Sequence, residues 1–266
     1  MVETYEISGF SPIHRDTHAD LGAASAALPP GAYTTFRNYG GERILRLDRH
    51  LQRLEESLAP PVGLDRTRAR SGIRWCLARG GHPESRVRLT HAPPHLFLSL
   101  EPFHPLPATV YREGVRCVTV PVRRANPRAK DTRFLPTAQG AYAMLPAGVN
   151  EGLMVDDDGA VLEGLSSNVF AVMGGSLRTE EARVLQGVTR SVILEVAAGV
   201  LPVRLEAVHQ GELARLTECF ITSVSREILP VTGVDDVVVG DGRVGPVTRE
   251  LARRLAALVD REAAPA

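Results

Sequence analysis

The chain has 266 residues, 44% apolar and 23% charged, the composition of a globular protein with room for one large or two modest domains. Its 31 basic and 31 acidic residues cancel, so net charge makes no electrostatic case for binding nucleic acid or an anionic membrane surface. No apolar run approaches the roughly 20 residues of a membrane span, and the first residues hold no basic segment leading into an apolar one, so a cytoplasmic setting is expected. The three cysteines, Cys76, Cys117 and Cys219, are far apart and form no CxxC; they read as small buried hydrophobes in a reducing compartment.

Residues 2–8 and 32–39 read as strands. Leu47, Leu51, Leu54 and Leu58 recur at helical spacing, with Asp48 as cap or first-turn acid and Pro60-Pro61 as the stop. A second helix is predicted over 65–79, closed by Gly80-Gly81, then a strand pair at 86–90 and 96–100. The prolines 102, 105 and 107 mark a linker, which predicts two domains, 1–105 and 106–266. Beyond it, 115–122 reads as a strand, 123–137 as irregular and 138–148 as a short helix. Strands follow at 152–156, 160–163, 167–173 and 176–179, then a helix over 188–198. Strands at 203–207 and 218–223, a short helix near 210–215 and a C-terminal helix from about 247 complete an α+β pattern without strict βαβ alternation.

Several familiar chemistries lack support. Gly240-Asp241-Gly242-Arg243-Val244-Gly245 matches GxGxxG, but too little chain follows for a dinucleotide fold, so a glycine-rich turn is expected. His14 and His18 are four apart without the HExxH pattern, and His91 and His95 flank two prolines, so no metal site is expected. Neither GxSxG nor a Walker loop occurs.

One residue stands out. Every Lys/Arg position is arginine except Lys130. An arginine guanidinium stays protonated at neutral pH, whereas a lysine amine can be desolvated, deprotonated and used as a nucleophile. Lys130 is therefore a candidate for chemistry that arginine cannot do. Gly187-Val188-Thr189-Arg190 opens an apolar helix whose first N–H groups could hold an anion. Arg53 flanks a leucine stripe and could reach a phosphate, and Glu163 sits among apolar neighbours, as a carboxylate paired with a cation would. Together these are the groups that pyridoxal phosphate needs: an amine for its aldehyde, a carboxylate for its pyridinium nitrogen, and donors for its phosphate.

The motifs resemble those of the class IV (fold type IV) pyridoxal phosphate enzymes, which include branched-chain aminotransferases, D-amino-acid aminotransferases and aminodeoxychorismate lyases. Gly31–Arg37 resembles the strand lining the substrate pocket, Asp48–Leu54 the HxxRL helix, and Ala129–Thr132 the segment of the cofactor lysine. Leu162–Phe170 (LEGLSSNVF) is similar to the EGxxSNxF element, Leu185–Arg190 to LxGxTR, Phe220–Glu227 to a second phosphate loop, and Gly242–Thr248 to the hairpin before the last helix. The resemblance implies a two-domain α+β fold of the D-amino-acid-aminotransferase type. It implies a Schiff base on Lys130, with Glu163 at the ring nitrogen, Leu185 packed on the ring, and Arg53, Val188, Thr189, Val224 and Ser225 around the phosphate. Tyr33, Arg37 and Arg88 are the candidate substrate contacts. The implied reaction moves an amino group between an apolar, branched-chain-like amino acid and a 2-oxo acid, in a homodimer. Lyase chemistry of the aminodeoxychorismate type, D-amino-acid transamination and a non-catalytic member are the alternatives. Three departures stand out, bearing in turn on the reaction, the tuning of the cofactor and the substrate loop, the last being the short loop between Asn126-Pro127 and Lys130. Thr34-Thr35 stands where many transaminases carry glutamate, as in some of the lyases, and Phe134-Leu135 occupies the stretch where a tyrosine often holds the cofactor's phenolic oxygen.

Overall fold

The structure is a computed structural model that describes residues 1–9 and 11–266. The chain divides into two compact units, one formed by Met1–His104, Ala129–Leu135 and Val259–Ala266, the other by Pro105–Arg128 and Pro136–Leu258. The architecture is α+β, with a seven-stranded and a ten-stranded sheet.

In the first unit, β1 (Val2–Glu6), β2 (Ile13–His18), β3 (Ala32–Tyr39), β4 (Arg43–Ile44), β5 (Ser85–Ala92) and β6 (His95–Pro102) pair antiparallel. The late strand Ala264–Pro265 joins β4 at one edge, and β2 forms the other. Helices α1 (Leu21–Ala26), α2 (Leu47–Glu56) and α3 (Arg66–Gly80) complete the unit. Alternation along β3 and β5 sends Phe36, Val87 and Leu89 into one core with Leu47, Leu51 and Leu54 of α2 and Ile73, Cys76 and Leu77 of α3. Asp65 caps α3 through the Arg68 N–H, and Gly81 ends it at φ 65°, a left-handed conformation that glycine adopts without strain. Within α3, Gly72 permits close approach to the end of β1, since a Cβ there would stand 2.7 Å from Ile7 Cδ1.

Two segments beyond residue 105 are part of this unit. The Tyr33 N–H donates to the Lys130 carbonyl (2.8 Å), the Thr132 N–H to Gly31 O (2.9 Å), and Ala32 bridges Asp131, so 129–135 runs beside the start of β3. The chain leaves this unit after His104 and returns to it at Ala129 and at Val259. Strand pairing groups residues by hydrogen-bond register and not by sequence order.

The second unit carries α4 (Ala108–Glu113), β7 (Val115–Val120), all but the first residue of α5 (Leu135–Ala143), β8 (Val149–Val155), β9 (Ala160–Gly164), β10 (Asn168–Met173), β11 (Ser176–Arg178), α6 (Val188–Ala197), β12 (Val203–Arg204), β13 (Val208–His209), β14 (Glu218–Ser223), β15 (Glu227–Val234), β16 (Val237–Val238) and most of α7 (Pro246–Glu262). The strands β10-β14-β15-β7-β8-β9 are neighbours in that order, and β9 also pairs β10, so these six close on themselves. The parallel β15–β7 and β7–β8 pairs sit among antiparallel ones. Every residue of β10 is buried, as its unbroken apolar run Val169–Met173 requires. Phe170 and Phe220, opposite one another on β10 and β14, stack with ring centroids 5.1 Å apart.

Several details differ from the sequence reading. β2, β4, β15, β16, α1 and α4 are unforeseen elements. The helix placed at 138–148 spans Leu135–Ala143, because a 3-10 turn at Thr132–Phe134 leads directly into it. The strand placed at 203–207 is cut short at Val203–Arg204, and a separate strand follows at Val208–His209. The glycines 240–245 form the expected turn: α7 starts at Pro246, and Glu218 accepts from the Val247 and Thr248 N–H groups there. A Cβ on Gly245 would lie 2.0 Å from Glu218 Cδ, so this glycine serves helix capping.

Candidate active site

In the first unit the candidate residues gather at the start of β3. Lys130 is held by its backbone: its N–H donates to Ser57 Oγ at the end of α2 (3.0 Å), and its carbonyl accepts from Tyr33. With the segment anchored in this way, Nζ lies over the Tyr33 ring, 4.7 Å from the centroid. Arg88 on β5 also lies over Tyr33 (4.9 Å) and donates to Leu21 O and Ser25 Oγ. Arg37 is placed elsewhere along the strand, against the rings of Tyr39 and Phe103.

Thr34 sits one residue further along β3 and points to α2 instead. Its hydroxyl oxygen accepts from Arg53 Nη2 (2.8 Å) and contacts His50 Nδ1 (2.8 Å). His50 is buried; that burial first, then Arg53 and Lys130, hold its imidazole well below the ordinary histidine range, so it is neutral. Thr34 thus links Arg53 to a neutral partner. Neither Thr34 nor His50 was among the predicted site residues, although His50 opens the HxxR pattern that singled out Arg53.

In the second unit Glu163, at the end of β9, is buried with 2% of its surface exposed. Oε2 accepts from Asn168 Nδ2 (3.3 Å) and the Leu185 N–H (3.2 Å), and Oε1 from Arg124 Nε (3.2 Å). Leu185 is therefore brought to Glu163 through its backbone. Asn168 also donates to Leu185 O (2.9 Å), which ties the EGLSSN loop to the approach of α6. Gly187 caps α6 without a side chain, leaving Val188 and Thr189 in the first turn, where unpaired N–H groups and the helix dipole favour an anion. Buried Arg190 pins this approach through Gln186 Oε1 (2.7 Å), Glu180 O (2.9 Å) and Glu181. Val224 and Ser225 occupy the turn between β14 and β15, and that turn follows Thr222, the register partner of Asn168.

A second polar cluster in this unit was not foreseen. Glu151, fully buried on β8, accepts from Tyr142 (2.5 Å), Ser167 (3.0 Å), Ser166 (3.2 Å) and Arg226 (2.8 Å). It joins the 223–226 turn to the loop after Glu163. No local pattern marks it, because its members come from separate chain segments. Arg124 was likewise missed, since in sequence it is one arginine of an Arg123-Arg124 pair.

Each unit carries donors of types that pyridoxal phosphate calls for: the first a primary amine whose backbone is independently anchored and an arginine, the second a buried carboxylate with oriented donors and a helix start without a side-chain cap. Among the described residues no group of three His, Cys, Asp or Glu could hold a metal ion, and no helix is long and apolar enough to cross a membrane. The cysteines are buried and free, and burial pushes the Cys76 and Cys219 thiols up to about 12.

Known proteins agree with this chemistry at the level of family. A Methanocaldococcus jannaschii protein described provisionally as a branched-chain-amino-acid aminotransferase is 34% identical over 156 residues, 55% of this chain and 54% of that protein. The D-alanine aminotransferase of Bacillus licheniformis is 27% identical over 83% of this chain and 84% of its own length. This chain thus spans about half the length of the first relative and most of the second. Among solved structures, the T.th. branched-chain amino acid aminotransferase with pyridoxamine 5'-phosphate superposes with a TM-score of 0.82 at 20% identity, over 97% of this chain and 94% of that one. The Escherichia coli branched-chain amino acid aminotransferase does so with a TM-score of 0.76 at 21% identity, over 98% and 95%. At these identities the likeness is one of fold. The amino-transferase class IV model matches residues 31–234, most of the chain, and the protein belongs to that family.

Proposed function

We propose that the protein is a pyridoxal-phosphate-dependent aminotransferase that moves an amino group between an apolar, branched-chain-like amino acid and a 2-oxo acid. The observation that carries this reading is Lys130, the chain's single lysine, with its backbone anchored to Ser57 and Tyr33 and its amine over an aromatic face. Family membership supports the reaction class, and the branched-chain relatives support the substrate class.

Pyridoxal phosphate, when bound, supplies an electron sink for negative charge at the substrate α-carbon. Lys130 would carry the cofactor and then take and return the α-carbon proton through Nζ. Glu163, which accepts from Arg124, Asn168 and the Leu185 N–H, would hold a protonated ring nitrogen. Arg53 and the N–H groups of Val188 and Thr189 would hold the phosphate, with Val224 and Ser225 as further donors and Leu185 against the ring. Tyr33 lies under the Lys130 amine with Arg88 over the same ring, so these two are the better substrate candidates; Arg37, turned to Tyr39 and Phe103, is the weaker one.

A second reading is elimination of the aminodeoxychorismate type, favoured by Thr34, whose hydroxyl is spent on Arg53 and His50 where many transaminases have a carboxylate. A panel of L- and D-amino donors with 2-oxoglutarate, run beside aminodeoxychorismate, separates the readings. Fastest turnover is expected with L-leucine, L-isoleucine or L-valine. Pyruvate release from aminodeoxychorismate without amino transfer would overturn the transferase reading. A visible cofactor band that is absent even with added pyridoxal phosphate would overturn both. A mass in solution of twice 28.8 kDa is the expected homodimer.

A further inference from the structure

In sequence nothing distinguishes Arg124 from its neighbour Arg123. In the structure it lies beyond β7, its side chain only 7% exposed, and donates from Nε to Glu163 Oε1, whose own side chain is 3% exposed. Two neutral groups, Asn168 Nδ2 and the Leu185 N–H, donate to Oε2. A cation thus donates to one carboxylate oxygen and two neutral groups donate to the other. A guanidinium taken from water is expensive unless it meets a charge, so its place on this carboxylate is not a solvated-surface accident.

We infer that Arg124 is a positioning residue that keeps Glu163 deprotonated and so directs a proton shared with a bound heterocycle onto the heterocycle's nitrogen. This rests on the reading of Glu163 as the ring-nitrogen partner. The physical reason is distance. A cation against the carboxylate makes a proton on that carboxylate unfavourable. It disfavours a proton on an acceptor farther away less, because Coulomb energy falls with separation. Without such a cation, burial favours the neutral acid, which then competes for the proton. Asn168 and Leu185 hold the carboxylate's orientation in either case, so loss of Arg124 changes where the proton sits more than where the side chain sits.

The test compares wild type with Arg124→Met and Arg124→Lys. In the apoprotein, infrared titration is expected to show a buried carboxyl that remains protonated at higher pH in Arg124→Met than in wild type. The signal should vanish in Arg124→Met/Glu163→Gln. With ¹⁵N-labelled pyridoxal phosphate bound, the ring-nitrogen resonance of Arg124→Met should move from the pyridinium towards the pyridine position. With it, kcat should fall at least about tenfold while KM for the amino donor changes less than about threefold, and Arg124→Lys should recover both towards wild type. An unchanged nitrogen resonance and kcat, with only lowered thermal stability, would leave Arg124 a purely structural ion pair and overturn the inference. A wild type that takes up no cofactor overturns the parent reading and this one together. A wild type that is active, with an equally active Arg124→Met, overturns this one alone.

Discussion

Lys130 makes its local structure with backbone groups, through Ser57 Oγ and the Tyr33 N–H, so its side chain can be changed without unpinning the segment. Lys130→Arg keeps the charge but not a deprotonatable amine. Its apoprotein should fold with an unchanged melting temperature and show no visible cofactor band when pyridoxal phosphate is added. A band retained in that variant, or in Lys130→Ala, would show that the cofactor is held elsewhere. His50 supplies a pH signature. Burial holds its folded pKa well below 6.5, whereas the unfolded chain takes up a proton near that value. Its neutral form contributes fully above about pH 6.5, and stability falls as pH drops below it, by at most about 1.4 kcal/mol per unit. Urea-unfolding midpoints followed from about pH 7 to 5 should show this slope in wild type and less of it in His50→Asn. Equal slopes would assign the proton uptake to another group.

At the scale of elements, the approach to α6 depends on a glycine that local propensity does not explain. Gly187 has φ −64°, an ordinary angle, so any residue could adopt its backbone. What excludes a side chain is Asn168, whose Oδ1 would lie 2.2 Å from a Cβ at 187. Gly187→Ala must displace Asn168 from Glu163 and Leu185 O, at about 1–3 kcal/mol by the usual cost of overpacking. Lower urea stability with weaker cofactor retention is the expected pair of results; unchanged values for both would mean that the loop yields freely. The elements that escaped the sequence reading each lack a local signal for a physical reason. β2 (Ile13–His18) is exposed along almost its whole length and has no apolar alternation, because an edge strand needs only one partner. α1 is less than two turns of mostly small residues capped by Asp20, too short for helical periodicity to register. β15 carries Pro230 and Gly233, residue types that speak against a strand until its partners are known. The other long strands and α2, α3, α6 and α7 were legible because each buries an apolar face.

For the whole molecule, the first unit is assembled from three stretches of chain, and its last strand comes from the end of the sequence given. Ala264 and Pro265 pair with Ile44 and Arg43, the Arg74 guanidinium donates to Ala266 O, and Ala263 and Ala266 are buried. Deleting residues 263–266 should therefore destabilise β4 and its surroundings by about 1–3 kcal/mol, the range of a lost buried contact set. Equilibrium unfolding measures this, and a denaturation curve superimposable on the full chain's would show that the pairing contributes nothing. The same construction means that β3 gains its partner segment 129–135 only after the chain has passed through Pro105–Arg128 of the second unit, a non-local pairing of the kind that slows folding.

The amino-acid sequence by itself marked the candidate residues, their order and the class of fold, because a lone amine, an EGLSSNVF run and helical leucine spacing are local properties of the chain. Tertiary structure decided which neighbours those residues have. It turned Thr34 towards His50 and Arg53 and Tyr33 towards Lys130, since adjacent residues of a strand face opposite sides. It set Arg124 rather than Arg123 on Glu163, and gathered Tyr142, Glu151, Ser166, Ser167 and Arg226 from distant segments. Those pairings follow from strand register and sheet closure, which depend on contacts between residues far apart in sequence and so leave no mark at any one position of it.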